Sequence, residues 1–164
     1  MAPVKFEPIG IIHSPFTQPR GVPIQPAAAR DIGGTIEIFE QFRPGLCDLE
    51  GFSHIIVLYH FHLSKGYSLK VTPFLDNTPR GVFATRAPRR PNPTGLSIVQ
   101  LDRIEDGTLY ISGVDMVDQT PVLDIKPYIP KLNPAGDIRI GWLAEKERHF
   151  NNKKADGRMQ SQDL

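Results

Sequence analysis

The residues best suited to chemistry lie in one segment, residues 85–97, where arginine and proline are concentrated. Arg86, Arg89 and Arg90 are interspersed with three prolines ahead of Gly95. Proline fixes φ and so reduces the entropy lost when a loop is ordered, and a guanidinium can bind a carboxylate or phosphate through two parallel hydrogen bonds. The segment predicts a stiff, cationic loop that binds an anionic group. By composition alone it also fits an ordinary basic surface loop.

Three histidines with even spacing, His54, His60 and His62, raise the question of a metal site. On a strand, His60 and His62 would lie about 7 Å apart on one face. No carboxylate partner is evident on that strand, so we expect local hydrogen bonds or ligand contacts instead and predict no metal site. The single cysteine, Cys47, is expected to be a buried apolar residue and not a nucleophile.

Composition limits the class of protein further. The net charge of +1 excludes a globally basic nucleic-acid binder, so RNA contacts must come from local clusters, for which Arg80, Arg89 and Arg90 are the candidates. The sequence contains no Rossmann-type glycine motif, Walker lysine motif, nucleophile elbow or H-E-x-x-H motif. No apolar run approaches the roughly 18 residues of a membrane span, and no signal peptide is recognisable, so a cytoplasmic protein without membrane contact is expected.

The elements that must position these residues are mainly strands. Sixteen prolines and fourteen glycines leave few windows long enough for a helix. The dipeptide Asp106-Gly107 readily adopts two positive φ angles and predicts a hairpin between its flanking strands. We predict seven or eight short strands in an all-β barrel or sandwich, with a helical turn in residues 41–50. The predicted strands are 4–12, 34–39, 53–62, 69–74, 81–86, 96–104, 108–112 and 122–128, with a candidate edge strand at 137–142.

Four collinear blocks resemble the TrmO family of methyltransferases. The signature block is formed by residues 81–86 followed by 90–97, and the others are residues 8–15, 49–54 and 115–128. The resemblance implies a single-sheeted β-barrel that binds S-adenosylmethionine and forms a homodimer. It also implies methylation of N6 of threonylcarbamoyladenosine beside the anticodon of tRNA. We therefore expect a barrel domain at residues 1–142 and a polar tail at 143–164, the last dozen or so residues of which should be mobile.

The same resemblance implies where the cofactor is bound. Ala27 stands where many relatives have glycine. After the Pro130 region we expect no counterpart of the additional C-terminal domain of longer bacterial members, which leaves the substrate open. The implied cofactor contacts are Gln25, Pro26, Ala27, His62, Leu63, Arg86, Leu96, Asp115, Met116, Val117 and Asp118.

Simple physical roles can be given to the charged members of this set. We expect Arg86 to end a strand on the face shared with Val82 and Ala84, where its guanidinium would reach the methionine carboxylate; otherwise it is a surface ion-pair partner. Asp115 and Asp118 either accept hydrogen bonds from the cofactor's amine or ribose or initiate turns. No general base can be named. Two rival functions stay open: a non-catalytic module that binds S-adenosylmethionine or RNA, and a methyltransferase for a small molecule.

Overall fold

Six antiparallel strands close into one barrel in the order β1-β2-β7-β6-β3-β8. The computed structural model describes residues 2–23, 29–144, 146 and 154–156. The prediction of an all-β, single-sheeted barrel is confirmed, although two of the eight described strands form a separate ribbon, β4-β5, instead of joining the barrel. The strands are β1 Gly10–His13, β2 Gly33–Ile38, β3 His54–His60, β4 Lys70–Val71, β5 Arg80–Gly81, β6 Thr94–Glu105, β7 Thr108–Ser112 and β8 Thr120–Pro127.

Alternation along the strands fills the barrel with aliphatic side chains. On β3, Ile55 and Val57 are fully buried whereas Ile56 and Leu58 face outward and keep part of their surface exposed. Burial of each such core side chain contributes about 1.5 to 3 kcal/mol before the entropy cost of folding is counted. The period of two therefore determines which residues reach the core and which remain available on the outer face.

The predicted β6-β7 hairpin is confirmed. Asp106 and Gly107 have φ angles of 49° and 80°, as a tight turn with two left-handed residues requires. The register pairs Glu105 with Thr108 directly across this turn. The hairpin consequently places the start of β6 at the opposite end of the barrel, where the signature segment enters it.

Four strand predictions were wrong in extent or type. Of the strand predicted at residues 69–74, only Lys70–Val71 is present, as β4. The strand predicted at residues 4–12 begins only at Gly10, where the register with Ile38 of β2 and Val122 of β8 starts, although Ile9 just before it donates a hydrogen bond to the Val122 carbonyl. Residues 81–86 are not a strand: β5 ends at Gly81, and Val82–Ala84 form a 3-10 turn. Residues 137–142 form no strand either, and the chain turns at Gly141 with a positive φ of 57°.

The helical turn predicted in residues 41–50 is present as two short 3-10 helices, Glu40–Leu46 and Leu49–Gly51. Neither has a buried residue, so both lie on the barrel surface. Cys47 falls between them and is exposed, which corrects the expectation of a buried residue. Among the described residues, no helix has the length and apolar character needed to cross a membrane.

Parts of the predicted tail contact the rest of the protein. The backbone of Ala155 exchanges hydrogen bonds with Gly21 and Val22, each 2.8 Å long, and Lys154 forms a bridge with Pro23. Lys146 pairs with Asp76 at 2.5 Å, in the loop between β4 and β5. These contacts bring the described C-terminal residues to the same end of the barrel as the signature segment.

Candidate functional site

A cleft of about 1790 Å³ opens at one rim of the barrel. At this rim β1, β3 and β7 end, and β2, β6 and β8 begin. Its walls come from the segment after β3, the signature loop before β6 and the connection from β7 to β8. Three of the four family blocks thus contribute to this rim, although they are far apart in the sequence.

The structure brings most of the predicted site residues to this cleft. Asp118 and Arg80, although described, are not among the residues that line it. Gln25, Pro26 and Ala27 lie outside the described residues. The predicted residues that line the cleft are His62, Leu63, Arg86, Arg89, Arg90, Leu96, Asp115, Met116 and Val117.

The signature loop is braced by its own side chains as well as by its prolines. The Thr85 hydroxyl donates a hydrogen bond to the Val82 carbonyl at 2.8 Å and closes the 3-10 turn that precedes Arg86. The Arg90 guanidinium donates to the Thr85 carbonyl at 3.2 Å. Ser64, after β3, donates to the Pro88 carbonyl at 3.1 Å. Arg86 is therefore presented from a rigid loop and not, as expected, from the end of a strand.

Asp115 is one of two acidic residues that line the cleft, together with Asp156. Its Oδ1 atom accepts a 2.7 Å hydrogen bond from the Ser97 hydroxyl, which lies 3.2 Å from the Tyr59 hydroxyl. Burial raises the pKa of Asp115 to about 6, although the Ser97 hydrogen bond and the charge of Arg86 both act to lower it. Burial, followed by the charge of Asp115, raises the pKa of Tyr59 well above its ordinary value, so its hydroxyl remains protonated at neutral pH.

His62 borders the cleft close to Thr120. Its Nδ1 atom lies 3.4 Å from the Thr120 hydroxyl, which donates a shorter 2.6 Å hydrogen bond to the Val117 carbonyl. Burial, and next the neighbouring His60, lower the pKa of His62, so the ring is neutral at physiological pH. His62 follows β3, which ends at His60, and it does not share the strand face that the sequence predicted.

Asp118 anchors the connection between β7 and β8 to the end of β1. It accepts a 3.1 Å hydrogen bond from the Ser14 backbone amide, and its own amide donates to the Phe16 carbonyl at 2.7 Å. Burial raises the pKa of Asp118, but the hydrogen bonds from Ser14 and Gln119 outweigh it and hold the pKa below its ordinary value. Asp118 and Gln119 also form the turn that precedes β8.

Arg80 is engaged away from the cleft. Its guanidinium forms a forked ion pair with Asp76, at 2.9 Å from Nε and 2.7 Å from the terminal nitrogen, and lies 5.5 Å from the centre of the Trp142 ring. Hydrogen bonds from Lys146 and Arg80 hold the pKa of Asp76 well below its usual range. This cluster attaches Trp142, a cleft residue, to the ribbon side of the site.

Sequence reasoning missed several residues of the site. Ser97 carried a usable signal, because it has the inward parity of Val99 and Leu101 on β6 and a buried hydroxyl needs a partner. Tyr59 likewise ends an inward series on β3. Trp142 carried none, since only the folded chain places its indole 2.9 Å from the Ala84 carbonyl. Within the described part of the chain, no group of three or more His, Cys, Asp or Glu residues could hold a metal ion.

The chain is similar to known proteins over most of its length. Residues 11–133 match the tRNA-methyltransferase O N-terminal domain family. A probable S-adenosyl-L-methionine-binding protein of Pyrococcus abyssi is 51% identical over 153 residues, which are 93% of this chain and 83% of the relative. A tRNA (adenine(37)-N6)-methyltransferase of Mus musculus is 44% identical over 141 residues, but these cover 82% of this chain and only 33% of the mouse protein.

The fold is similar as well. A crystal structure of TrmO from Pseudomonas aeruginosa superposes with a TM-score of 0.72 at 40% identity, covering 87% of this chain and 62% of that one. The chain thus spans about a third of the mouse relative and less than two thirds of the solved structure. From the family match and the shared barrel we conclude that this chain belongs to the tRNA-methyltransferase O N-terminal domain family.

Proposed function

We propose that this protein transfers a methyl group from S-adenosylmethionine to N6 of the adenosine beside the anticodon of tRNA. We further propose that this nitrogen carries a threonylcarbamoyl group. One observation carries the proposal: the rim cleft of a TrmO-type barrel presents a guanidinium, Arg86, and a carboxylate, Asp115, near enough for the charge of Arg86 to act on the pKa of Asp115. Relatives named as S-adenosylmethionine-binding proteins and as tRNA methyltransferases support both halves of the assignment.

The cleft suits the chemical groups of the cofactor. The methionine end is a zwitterion, for which one cation and one anion are the complementary pair. Phe61, Leu63 and Leu96 provide apolar surface for an adenine ring. The proposed cofactor contacts remain Gln25, Pro26, Ala27, His62, Leu63, Arg86, Leu96, Asp115, Met116, Val117 and Asp118.

S-adenosylmethionine would supply a methyl group on a positively charged sulfur. The task of this chain is then alignment and exclusion of water, since charge disappears from the sulfur as the methyl group moves. Arg86 on its braced loop and Asp115 held by Ser97 would orient the methionine end, and the apolar wall would shield the reacting centre. His62, neutral because its pKa is lowered, is able to accept a proton at the cleft wall.

RNA would reach the cleft over the signature loop. Arg89 and Arg90 line the cleft beside Arg86, so phosphates of the anticodon loop would meet a local cationic patch despite the net charge of +1. Arg89 and Arg90 are the candidates for a direct RNA contact that line the cleft, whereas Arg80 is paired with Asp76 outside it. Phosphate contacts do not identify a base, and the threonylcarbamoyl group is proposed to provide that specificity.

A homodimer, formed in the cytoplasm, is part of the proposal. The barrel surface that borders the cleft carries two directly paired apolar couples, Ile56 with Ile98 and Leu58 with Leu96, none of which is buried. Leu96 and Ile98 also line the cleft, so a second copy would lie against the cleft rim. Leu96 and Ile98 are 42% and 37% exposed to solvent. An apolar stripe of this kind is typical of a surface that a second copy covers. Light scattering at micromolar concentration should give twice the monomer mass, and a mass near 18.3 kDa would contradict the dimer.

The decisive experiment is incubation with labelled S-adenosylmethionine and bulk tRNA, followed by nucleoside analysis. Label should appear in the modified adenosine, and tRNA from cells that lack threonylcarbamoyl modification should stay unlabelled. Comparable turnover on unmodified tRNA would refute the proposed substrate.

Cofactor placement is tested by Arg86→Ala with Arg89→Ala as the matched control. Loss of a charge-assisted pair should weaken cofactor binding by about 2 kcal/mol for Arg86→Ala and much less for Arg89→Ala. Equal affinity of wild type and Arg86→Ala, with both proteins folded, would contradict the assignment.

A non-catalytic role is the second candidate, because the Pyrococcus abyssi relative, 51% identical, is named for binding alone. Cofactor binding without label in any tRNA would favour that reading. Label transferred to a small molecule would instead favour the third candidate, a methyltransferase for a small molecule.

A further inference from the structure

Ser97 and Tyr59 are polar residues inside a mainly aliphatic barrel. Ser97 is 1% exposed and Tyr59 is 5% exposed, and they lie on the neighbouring strands β6 and β3. A buried hydroxyl that lacks a partner costs about 1 to 3 kcal/mol, so such groups persist where a hydrogen bond or a function retains them. Here both hydroxyls belong to one chain of hydrogen bonds that ends at Asp115 in the cleft.

The direction of this chain follows from the number of protons. An ionised carboxylate can only accept, so the single Ser97 proton is donated to Asp115 over 2.7 Å. Tyr59 must then be the donor to Ser97 over 3.2 Å. Both hydroxyl protons are therefore engaged in hydrogen bonds, and Ser97 donates its proton to the Oδ1 atom of Asp115. The carboxylate also accepts a hydrogen bond from the backbone amide of Asp115 itself. Because a carboxylate has about four acceptor positions, these two bonds leave room for a ligand.

Gly95 makes room for this arrangement. A Cβ atom at this position would overlap the Tyr59 ring and lie 2.8 Å from its hydroxyl oxygen. Gly95 is also the direct strand partner of Tyr59. The glycine of the signature segment therefore has a role that composition did not suggest: it allows the phenol to lie flat against β6 and reach Ser97.

We propose that Ser97 and Tyr59 are positioning residues that hold the Asp115 carboxylate, ionised and fixed in orientation, to receive the α-ammonium group of the methionine moiety. The inference rests on the proposed function and assigns the two charged groups of the methionine moiety to different residues. Arg86 takes the carboxylate of the same zwitterion, and Asp115 takes its ammonium group. Neither Ser97 nor Tyr59 is required to touch the reacting atoms.

A pH dependence follows from this arrangement. Among the described residues, the charged and titratable groups that act on Asp115 are Arg86 from the signature loop and Tyr59 from β3. The pKa of Asp115 is about 6, and the Ser97 hydrogen bond lowers it. Below that pH the carboxyl is neutral and loses its attraction for an ammonium group. Removing the Ser97 hydroxyl raises the pKa further, so the loss of binding should move to higher pH.

Two ligands separate positioning from simple structural support. S-adenosylhomocysteine retains the amino-acid end, whereas 5′-methylthioadenosine lacks it. Calorimetry should be run with both ligands, from about pH 5 to about pH 8, on wild type, Ser97→Ala, Ser97→Thr and Tyr59→Phe. Ser112→Ala is the matched control, because Ser112 donates a bond of the same 2.7 Å length to Asp102 outside the cleft.

For Ser97→Ala at neutral pH we expect a roughly 5- to 20-fold weaker affinity for S-adenosylhomocysteine, and a smaller loss for Tyr59→Phe. The affinity of Ser97→Ala should recover towards wild type as the pH rises. Affinity for 5′-methylthioadenosine should stay constant with pH and in every variant. Ser97→Thr keeps the hydroxyl and should bind like wild type, as should Ser112→Ala.

Several results would overturn the inference. If Ser97→Ala loses affinity equally for both ligands, Ser97 only supports the structure of the cleft. An unchanged pH profile in Ser97→Ala would show that Asp115 does not meet the ammonium group. If wild type binds neither ligand, the proposed function itself fails, and the positioning role fails with it. If wild type binds both and Ser97→Ala binds both equally well, only the positioning role is refuted.

Discussion

Replacing Asp115 by Asn should stabilise the protein while it weakens cofactor binding. Burial raises the pKa of Asp115 from 3.8 to about 6 in the folded protein. At about 1.36 kcal/mol for each pKa unit, ionising this carboxyl costs roughly 3 kcal/mol of folding free energy above pH 6. Because Asp115 keeps some exposure, water screens part of this penalty. We expect a net gain of about 1 to 3 kcal/mol for Asp115→Asn at pH 8.

The sign of the pH dependence follows from linkage. Between pH 3.8 and 6 the folded wild type binds the proton of Asp115 more tightly than the unfolded chain does, so its stability falls as the pH rises through this window. The Asn variant lacks this proton and should not show the decline. Its advantage should therefore be small near pH 4, should grow up to pH 6 and should be constant above. Asn also keeps a side-chain oxygen that can accept the Ser97 hydrogen bond.

Urea unfolding of both proteins at about pH 4 and about pH 8 measures the effect, with Asp102→Asn as control. Asp102 accepts a similar serine hydrogen bond, but it is exposed, so the control should gain little. An Asn variant that is no more stable than wild type at pH 8, or that is equally favoured at both pH values, would refute the proposed cost of burying Asp115. A stabilised variant with unimpaired cofactor affinity would separate the carboxylate from cofactor binding.

Three other substitutions test neighbouring parts of the site. Gly95→Ala should displace the Tyr59 ring, lower the unfolding free energy by about 1 to 3 kcal/mol in denaturant titrations, and weaken cofactor binding; a neutral result would show that β6 can shift. Asp76→Ala should lower the Tm at neutral pH, and the difference from wild type should shrink as acid protonates Asp76, because its lowered pKa makes the stabilisation a property of the ionised form. Arg89→Glu should reduce tRNA methylation and lessen its salt dependence by a slope of about 0.9 per lost phosphate contact, with cofactor affinity preserved. Arg103→Glu, outside the cleft, is its control, and equal losses in both variants would contradict a local RNA contact.

Local sequence patterns were sufficient to predict the elements whose hydrogen-bond partners lie nearby in the chain. The turn at Asp106 and Gly107 depends only on residues that tolerate positive φ, and the structure has it. Alternation similarly identified β2, and a continuous apolar run identified β3. The same patterns failed before Gly10, where the ladder with β2 and β8 begins, because a strand needs a continuous series of hydrogen bonds to its neighbours and not only a suitable composition.

The features of the candidate site also separate into those that short segments predict and those that depend on tertiary contacts. The signature segment and the family blocks were sufficient to predict the barrel, the cofactor and nine of the residues that line the cleft, because these depend on patterns carried within short segments. Only the tertiary structure decided which charges are available. It paired Arg80 with Asp76, tied Asp118 to Ser14 and joined Tyr59, Ser97 and Asp115 across three segments. Such partners are distant in sequence, and hydrogen bonding and burial take effect only once barrel closure has brought them to the same rim.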